Sequence, residues 1–236
     1  NQGKFVVSAS QEEEARLVIR GRCQEVGAKL YEVGRDILYQ GTEARFSLEG
    51  IAASYQDLEI RLIGQHQLAN AALAVGVIEA LGFSGIKINR EEIKRGLYKT
   101  IWPGRCEIIS KNPVVILDGA QNVSSSIALR ETIRTRFQYK RLFLVLGISK
   151  DKDIEGISKE LYSLADEVIL TRADNPRATP PQDLAEYFSS KPIHLTANIK
   201  EARAKAYAFA KSDDLVLVCG SLFVVGEFRD EATSSR

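Results

Sequence analysis

Methionine is absent from this chain of 236 residues, and it has only two histidines, one tryptophan and three cysteines. A complete gene product begins with Met, so a sequence that opens at Asn1 reads as truncated. Cys23, Cys106 and Cys219 are odd in number, far apart and without CxxC spacing. That excludes a disulfide framework or a zinc knuckle, and they read as small buried hydrophobes in a reducing cytoplasm. No carboxylate–histidine cluster stands at metal-ligand spacing, so a metal site within these residues is not expected, and His66 reads as structural. Charge is balanced, Lys+Arg 32 against Asp+Glu 31 for a net of +1, which argues against nucleic acid or an anionic membrane as partner. The most apolar run, Leu68 to Leu81, is interrupted by Asn70, Gly76 and Glu79. It falls short of the roughly 18 residues of a membrane span and reads as a buried helix. No signal peptide is recognisable at the start, and the expectation is a cytoplasmic protein. Neither a GxxxxGK[ST] phosphate cradle nor a GxGxxG fingerprint occurs, and there is no internal repeat or low-complexity linker. What remains, 44% hydrophobic and 27% charged, is the composition of an ordinary globular protein of one large or two modest domains.

The first hundred residues combine short β segments with helices. Phe5–Ser8 reads as a strand. Ser10 with Glu13 spells a capping box for a helix whose apolar face includes Ala15, Val18, Ile19 and Val26, closed by Gly27. Short β segments are expected at 29–33, 44–48 and 58–62, then a nearly all-apolar helix over 67–81 ended by Gly82. Asn89, with Glu92 following, caps a helix over 90–98. These are too few strands for a complete sheet, so the segment reads as the tail of a domain. Beyond Arg105 a short apolar strand leads into a strand–helix alternation. Strands are expected at 114–117, 142–146, 168–170, 193–195 and 215–219, apolar throughout as strands covered on both faces are. The intervening helices are amphipathic. Ile154, Ile157, Leu161 and Leu164 share one face, Thr179 with Pro180 and Gln182 opens another helix, and Asn198 caps a third with Ile199, Ala202, Ala206 and Phe209 inward. Ala232 to Arg236 read as frayed. The alternation predicts an α/β fold with a mostly parallel sheet and helices on both faces.

Polar residues recur where strands of that sheet end, the usual place for ligands in open α/β sheets. Asp118 follows the strand at 114–117. A carboxylate there accepts hydrogen bonds from ribose hydroxyls, or it caps the helix beginning near Ser124, and spacing alone favours the cap. Arg105 follows the rigid Trp102-Pro103-Gly104 turn. Its forked guanidinium suits a nucleotide phosphate or a developing acyl phosphate, and spacing does not separate this from a surface arginine in a hinge. Asn70 is an amide within an apolar helix and needs a partner, either a ligand or the helix backbone. Thr171 to Arg177 forms a strand-end loop in which Asn175 and Arg177 face substrate or solvent. Ser221, after the last strand, is an N-cap whose neighbouring N–H groups could also receive a carboxylate. Ser149 to Asp153 is placed in the same way, with Lys152 as its candidate catalytic group.

The ordered set of these segments resembles the folate ligases, dihydrofolate synthase and folylpolyglutamate synthase, within the wider Mur ligase family. Val6-Val7-Ser8-Ala9 and Val33-Gly34-Arg35-Asp36 come first, then Gly64-Gln65-His66-Gln67-Leu68-Ala69-Asn70. Trp102-Pro103-Gly104-Arg105, Asp118-Gly119-Ala120-Gln121-Asn122, Asn175-Pro176-Arg177-Ala178 and Gly220-Ser221-Leu222-Phe223 follow in the family's order. The resemblance implies residues 1–103 from a central ATP-binding domain and 104–236 as a Rossmann-like C-terminal glutamate-ligase domain. It implies ATP-driven phosphorylation of a substrate carboxylate, then attack of the L-glutamate amine on the acyl phosphate, with closure of the C-terminal domain joining the two. Asn70 would contact adenine, Asp118 ribose and Arg105 phosphate. Arg177, with Asn175 and Ser221, would position L-glutamate. Gln121 departs from the family's usual His and can only hydrogen-bond. Mg²⁺ ligands and the contacts to folate or dihydropteroate would lie mostly upstream, and the full-length protein would be a monomer. Asp174-Asn175-Pro176-Arg177 also resembles the amino-acid motif of peptidoglycan-precursor ligases. A binding module that has lost catalysis, with Gln121 as one symptom, is the third reading.

Overall fold

The computed structural model describes residues 4–233, which divide at Ile101/Trp102 into two compact units. In the first unit, β1 (Phe5–Ser8) pairs in parallel with β2 (Lys29–Glu32) across α1 (Glu13–Glu25). β3 (Leu38–Thr42), β4 (Arg45–Glu49) and β5 (Ser54–Leu58) form an antiparallel sheet. α2 (His66–Gly82) and α3 (Arg90–Lys99) complete the unit. Its core gathers Ile37, Phe46, Leu48, Leu58, Leu68, Ala72 and Val75.

Several local expectations are corrected here. Ser10 does not cap α1, because its hydroxyl donates to the Val33 carbonyl and the helix begins at Glu13 without a side-chain cap. The expected inward face of α1 is largely open. Val18 is 69% exposed, and Cys23 is the buried residue of that helix. Strand β3 is polar and exposed, formed by pairing with β4 rather than by burial, so periodicity carries no trace of it. β5 ends at Leu58, where the sequence suggested a start. α2 buries one face only, through Leu68, Ala71, Ala72, Val75 and Gly76, while Val77 and Leu81 stay exposed. Its buried Glu79 accepts from the backbone N–H groups of Ile51, Ala52 and Ala53 and from the Tyr55 hydroxyl, pinning the β4–β5 turn. The capping box of α3 forms as expected, Asn89 Oδ1 accepting from Glu92 N and Glu92 from Asn89 N.

The second unit is a six-stranded sheet. β6 (Glu107–Lys111) runs antiparallel to β7 (Val114–Leu117), and the rest is parallel: β8 (Leu142–Leu146), β9 (Glu167–Leu170), β10 (Ile193–Leu195) and β11 (Leu215–Cys219). The order is β10-β9-β8-β11-β7-β6. β8 and β11 are buried along their whole length, as central parallel strands are, whereas the edge strands β6 and β10 are partly exposed. Val115, Leu117, Phe143, Val145, Ile169, Val216 and Val218 face α6 (Ile199–Phe209) and α7 (Leu222–Thr233). Side chains of alternate parity, such as Ile116, Leu144 and Leu217, turn to the opposite face. There α4 (Val123–Arg136), α5 (Ile154–Tyr162) and a 3₁₀ helix (Pro181–Phe188) pack side by side. The mostly parallel α/β architecture is the one expected.

Thr179 opens no capping box. Pro180 precedes the 3₁₀ helix, no side chain caps it, and the buried Thr179 hydroxyl makes no hydrogen bond. Asn198 does cap α6, by accepting from Glu201 N. Phe209 is 36% exposed rather than inward, packing against the rings of Phe143 and His194. α7 runs through Thr233, and the rest of the segment read as frayed, 234–236, lies outside the described residues.

Candidate active site

The loops leaving β7, β8, β9 and β11 meet at the carboxyl edge of the second unit's sheet. Backbone bonds stitch them together: Gly220 N to Ala120 O at 3.0 Å, Lys150 N to Arg177 O at 2.8 Å and Thr179 N to Ile148 O at 2.9 Å. Gly220, at φ +97°, passes so near Gly147 that an added Cβ would stand 2.7 Å from its carbonyl oxygen, so only glycine allows this approach.

Arg105 sits in the turn preceding β6. Gly104 (φ +71°) and Cys106 (φ +45°), its two neighbours, are both left-handed. The Arg105 guanidinium makes no hydrogen bond or ion pair among the described residues. It lies over Gly119, where an added Cβ would come within 2.6 Å of Nη1. Asp118 does not cap α4, as spacing alone had favoured. Its Oδ2 accepts from Cys106 N and its Oδ1 from Ala120 N, both at 2.8 Å. The cap is Asn122, whose side chain accepts from Ser125 N while Ser125 accepts from Asn122 N. Gln121 is half-buried, and its side-chain amide makes no hydrogen bond among the described residues.

The thiols around Asp118 are silenced. Burial pushes Cys106 up to about 12, with the Asp118 charge adding to it, and the same two causes raise Cys219. Neither is a nucleophile at neutral pH.

On the β9 side, a small open cleft is lined by Ser149, Arg172, Asn175, Ser221 and Phe223 among others. Asn175 Oδ1 accepts from Arg177 N at 2.9 Å, closing the loop. The exposed Arg177 guanidinium lies over the Phe223 ring, 5.6 Å from its centroid. Ser221 Oγ accepts from Phe223 N at 3.2 Å, the N-cap geometry expected of it. Lys152 is paired with its neighbour Asp151 at 3.2 Å, and the hydrogen bond from Lys152 is the first cause holding Asp151 below its ordinary value. The loop Ser149–Asp153 ends as a helix start, Asp153 accepting from Gly156 N.

Asn70 lies in the first unit. It is exposed rather than a core amide, and it donates to Gln67 Oε1 at 3.0 Å. Gln67 in turn is 2.9 Å from His66 Nε2, so a polar chain runs along the first turns of α2. Two site residues escaped sequence reasoning. Glu107 accepts from Gly104 N, and Glu227 of α7 accepts from Asp174 N. Burial raises the Glu227 carboxyl, with the charge of Asp174 adding to that and its N–H opposing it. No motif marks either one, since each acts on a backbone N–H. Among the described residues no group of three or more His, Cys, Asp or Glu side chains could hold a metal ion, and no helix is long and apolar enough to cross a membrane.

Comparison with known proteins shows the family. Residues 104–222 match the family described as Mur ligase, glutamate ligase domain. The dihydrofolate synthase/folylpolyglutamate synthase of Bacillus subtilis is 30% identical over 241 residues, covering 97% of this chain and 54% of the relative. The Escherichia coli FolC solved with DHPP and ADP superposes with a TM-score of 0.87 at 28% identity, over 99% of this chain and 54% of that one. A bifunctional folylpolyglutamate synthase/dihydrofolate synthase solved with Mn, AMPPNP and L-glutamate gives 0.83 at 26% identity, over 96% and 53%. The chain thus spans about half the length of the curated relatives it matches. It belongs to the Mur ligase family, with residues 104–222 matching the glutamate ligase domain.

Proposed function

We propose that these residues form the glutamate side and part of the nucleotide side of an ATP-dependent ligase that adds L-glutamate to a folate or dihydropteroate carboxylate. The observation that carries the reading is the carboxyl edge of the second unit's sheet. Among the described residues the Arg105 guanidinium makes no hydrogen bond or ion pair and stands beside Gly119, and a small, mostly apolar cleft that Ser149, Arg172, Asn175 and Ser221 help to line opens between the loops after β8, β9 and β11. The names of the relatives, and the nucleotide and L-glutamate bound in one of them, support it.

In this reading Arg105 holds nucleotide phosphate and the charge of the acyl phosphate, a task for a fork of N–H donors that pairs with no carboxylate among the described residues. Asp118 faces ribose, each of its oxygens already accepting one backbone N–H. Asn70 meets adenine, and Gln121 donates or accepts where the family's histidine would stand. Arg177 takes a carboxylate of L-glutamate, its loop closed by Asn175, while Ser221 and the start of α7 take another. Lys152, whose backbone N–H donates to the Ser149 carbonyl in the loop after β8, serves developing negative charge. The proposed cation is Mg²⁺, which neutralises phosphate charge when bound. The described residues offer it no ligand set. We place the protein in the cytoplasm as a monomer that binds no nucleic acid, with residues 1–103 belonging to a central ATP-binding domain and 104–236 to the ligase domain. The Asp174-to-Arg177 wording it shares with peptidoglycan-precursor ligases keeps that second reading in view, but the relatives named are folate ligases.

The test is the natural polypeptide that carries these residues, with Arg177→Ala. The KM for L-glutamate is expected to rise about 10- to 100-fold with the KM for ATP little changed. An unchanged glutamate KM would remove Arg177 from the substrate site.

A further inference from the structure

We infer that Glu107 is a positioning residue for Arg105, and that it works with Asp118 as a two-carboxylate clamp on the peptides either side of that arginine. This rests on the reading of Arg105 as a phosphate ligand. Gly104 N donates to Glu107 Oε2 at 2.8 Å, and Cys106 N donates to Asp118 Oδ2 at 2.8 Å. The residues before and after Arg105 are thus each gripped by a carboxylate, while the guanidinium between them is paired with neither. Gly119 N donates to Gly104 O at 2.8 Å, so the turn is also tied to the end of β7.

The clamp has mechanical work to do. Gly104 and Cys106 both hold positive φ, and for Cys106, which carries a Cβ, that conformation is sterically disfavoured. Without acceptors for these N–H groups the turn would relax and carry the Arg105 side chain away from Gly119. Carboxylates beside a phosphate site would normally repel the ligand, but here Glu107 is offset. Its Oε1 accepts from Arg229 Nε of α7 at 3.1 Å, which also anchors the clamp to a packed helix. The arrangement leaves the Arg105 guanidinium over Gly119 and, among the described residues, without an ion-pair partner.

Two measurements decide it. On this 236-residue chain, amide hydrogen exchange is read at Gly104 and Cys106. Glu107→Ala is expected to speed exchange at Gly104 by about tenfold or more, with the amides of β8 and β11 unmoved. Glu107→Gln, which keeps an acceptor oxygen, is expected to restore protection, and Arg229→Ala to fall between. Unchanged exchange at Gly104 in Glu107→Ala overturns the clamp. In the natural polypeptide that carries these residues, Glu107→Ala is expected to lower kcat/KM for ATP about tenfold while the KM for L-glutamate stays within about twofold. In an Arg105→Ala background the same change is expected to cost nothing further, because the residue it positions is gone. Losses that simply add contradict the positioning role. If Arg105→Ala itself leaves kcat/KM for ATP unchanged, the phosphate assignment fails, and the exchange result still decides the clamp.

Discussion

Cys106 shows how much one residue here depends on its surroundings. It is 3% exposed, holds φ +45°, and its N–H is bound by Asp118. Its thiol is pushed from 9.0 up to about 12 by burial first and the Asp118 charge second. A raised folded-state value means that the thiol's contribution to stability is fully present below the unfolded value and is lost as pH climbs through the folded one. Urea denaturation should therefore show stability falling between about pH 9 and pH 12, and Cys106→Ala should flatten that slope; an equal slope in the variant would refute the assignment. The same residue marks where reading from sequence stops. Asp118 was recognisable as a polar group at a strand end, but its partners, a peptide N–H before β6 and another two residues on, leave no side-chain signature. Glu227 is harder still, since it meets Asp174 N across 53 residues of chain.

Helices and strands followed the sequence wherever one face is buried and a cap is spelled out. β7, β8 and β11 occupy the expected residues because apolar runs bounded by polar loops leave little choice, and the edge strand β10, Ile-His-Leu and partly exposed, also lies where expected. α3 and α6 each begin behind the asparagine expected as their cap, its side chain accepting from the N–H three residues on, whereas α4 begins behind Asn122 and not Asp118. Elements were missed where pairing or solvent, not burial, sets the structure. β3 is a polar strand completed by its neighbour, and the 3₁₀ helix after Pro180 carries an α-like pattern with no cap to continue it. α1 and α2 are less buried than their apolar content predicts, because apolar content does not by itself fix which residues touch the core. Asn122 ties the element scale to the site, capping α4 directly after Asp118 and Gln121. Asn122→Ala should cost about 1 kcal/mol, seen as a lower urea midpoint at an unchanged m-value. A midpoint within error of the parent would mean that the box contributes nothing.

At the scale of the whole molecule, the second unit holds a continuous core along one face of its sheet and gathers most of the candidate site residues at one edge. That gathering follows from the topology. Strands of a parallel sheet end on the same side, so Asp118, Lys152, Asn175, Arg177 and Ser221, scattered over a hundred residues of chain, meet because each follows a strand. The sequence conveyed this much, since alternation alone predicts the sheet and strand ends predict the loops. It did not convey the cavity or the turn that aims Arg105, which depend on close approaches at Gly119, Gly147 and Gly220. The central claim is ligation of L-glutamate at this edge with ATP consumed. Its most direct test is ADP release by the natural polypeptide that carries these residues, assayed against a panel of acceptors and amino acids. The account predicts release that requires both L-glutamate and a folate or dihydropteroate acceptor, and that falls about 100-fold in Arg105→Ala. Release that proceeds with a peptidoglycan precursor and its amino acid instead, or with no acceptor dependence at all, would contradict it.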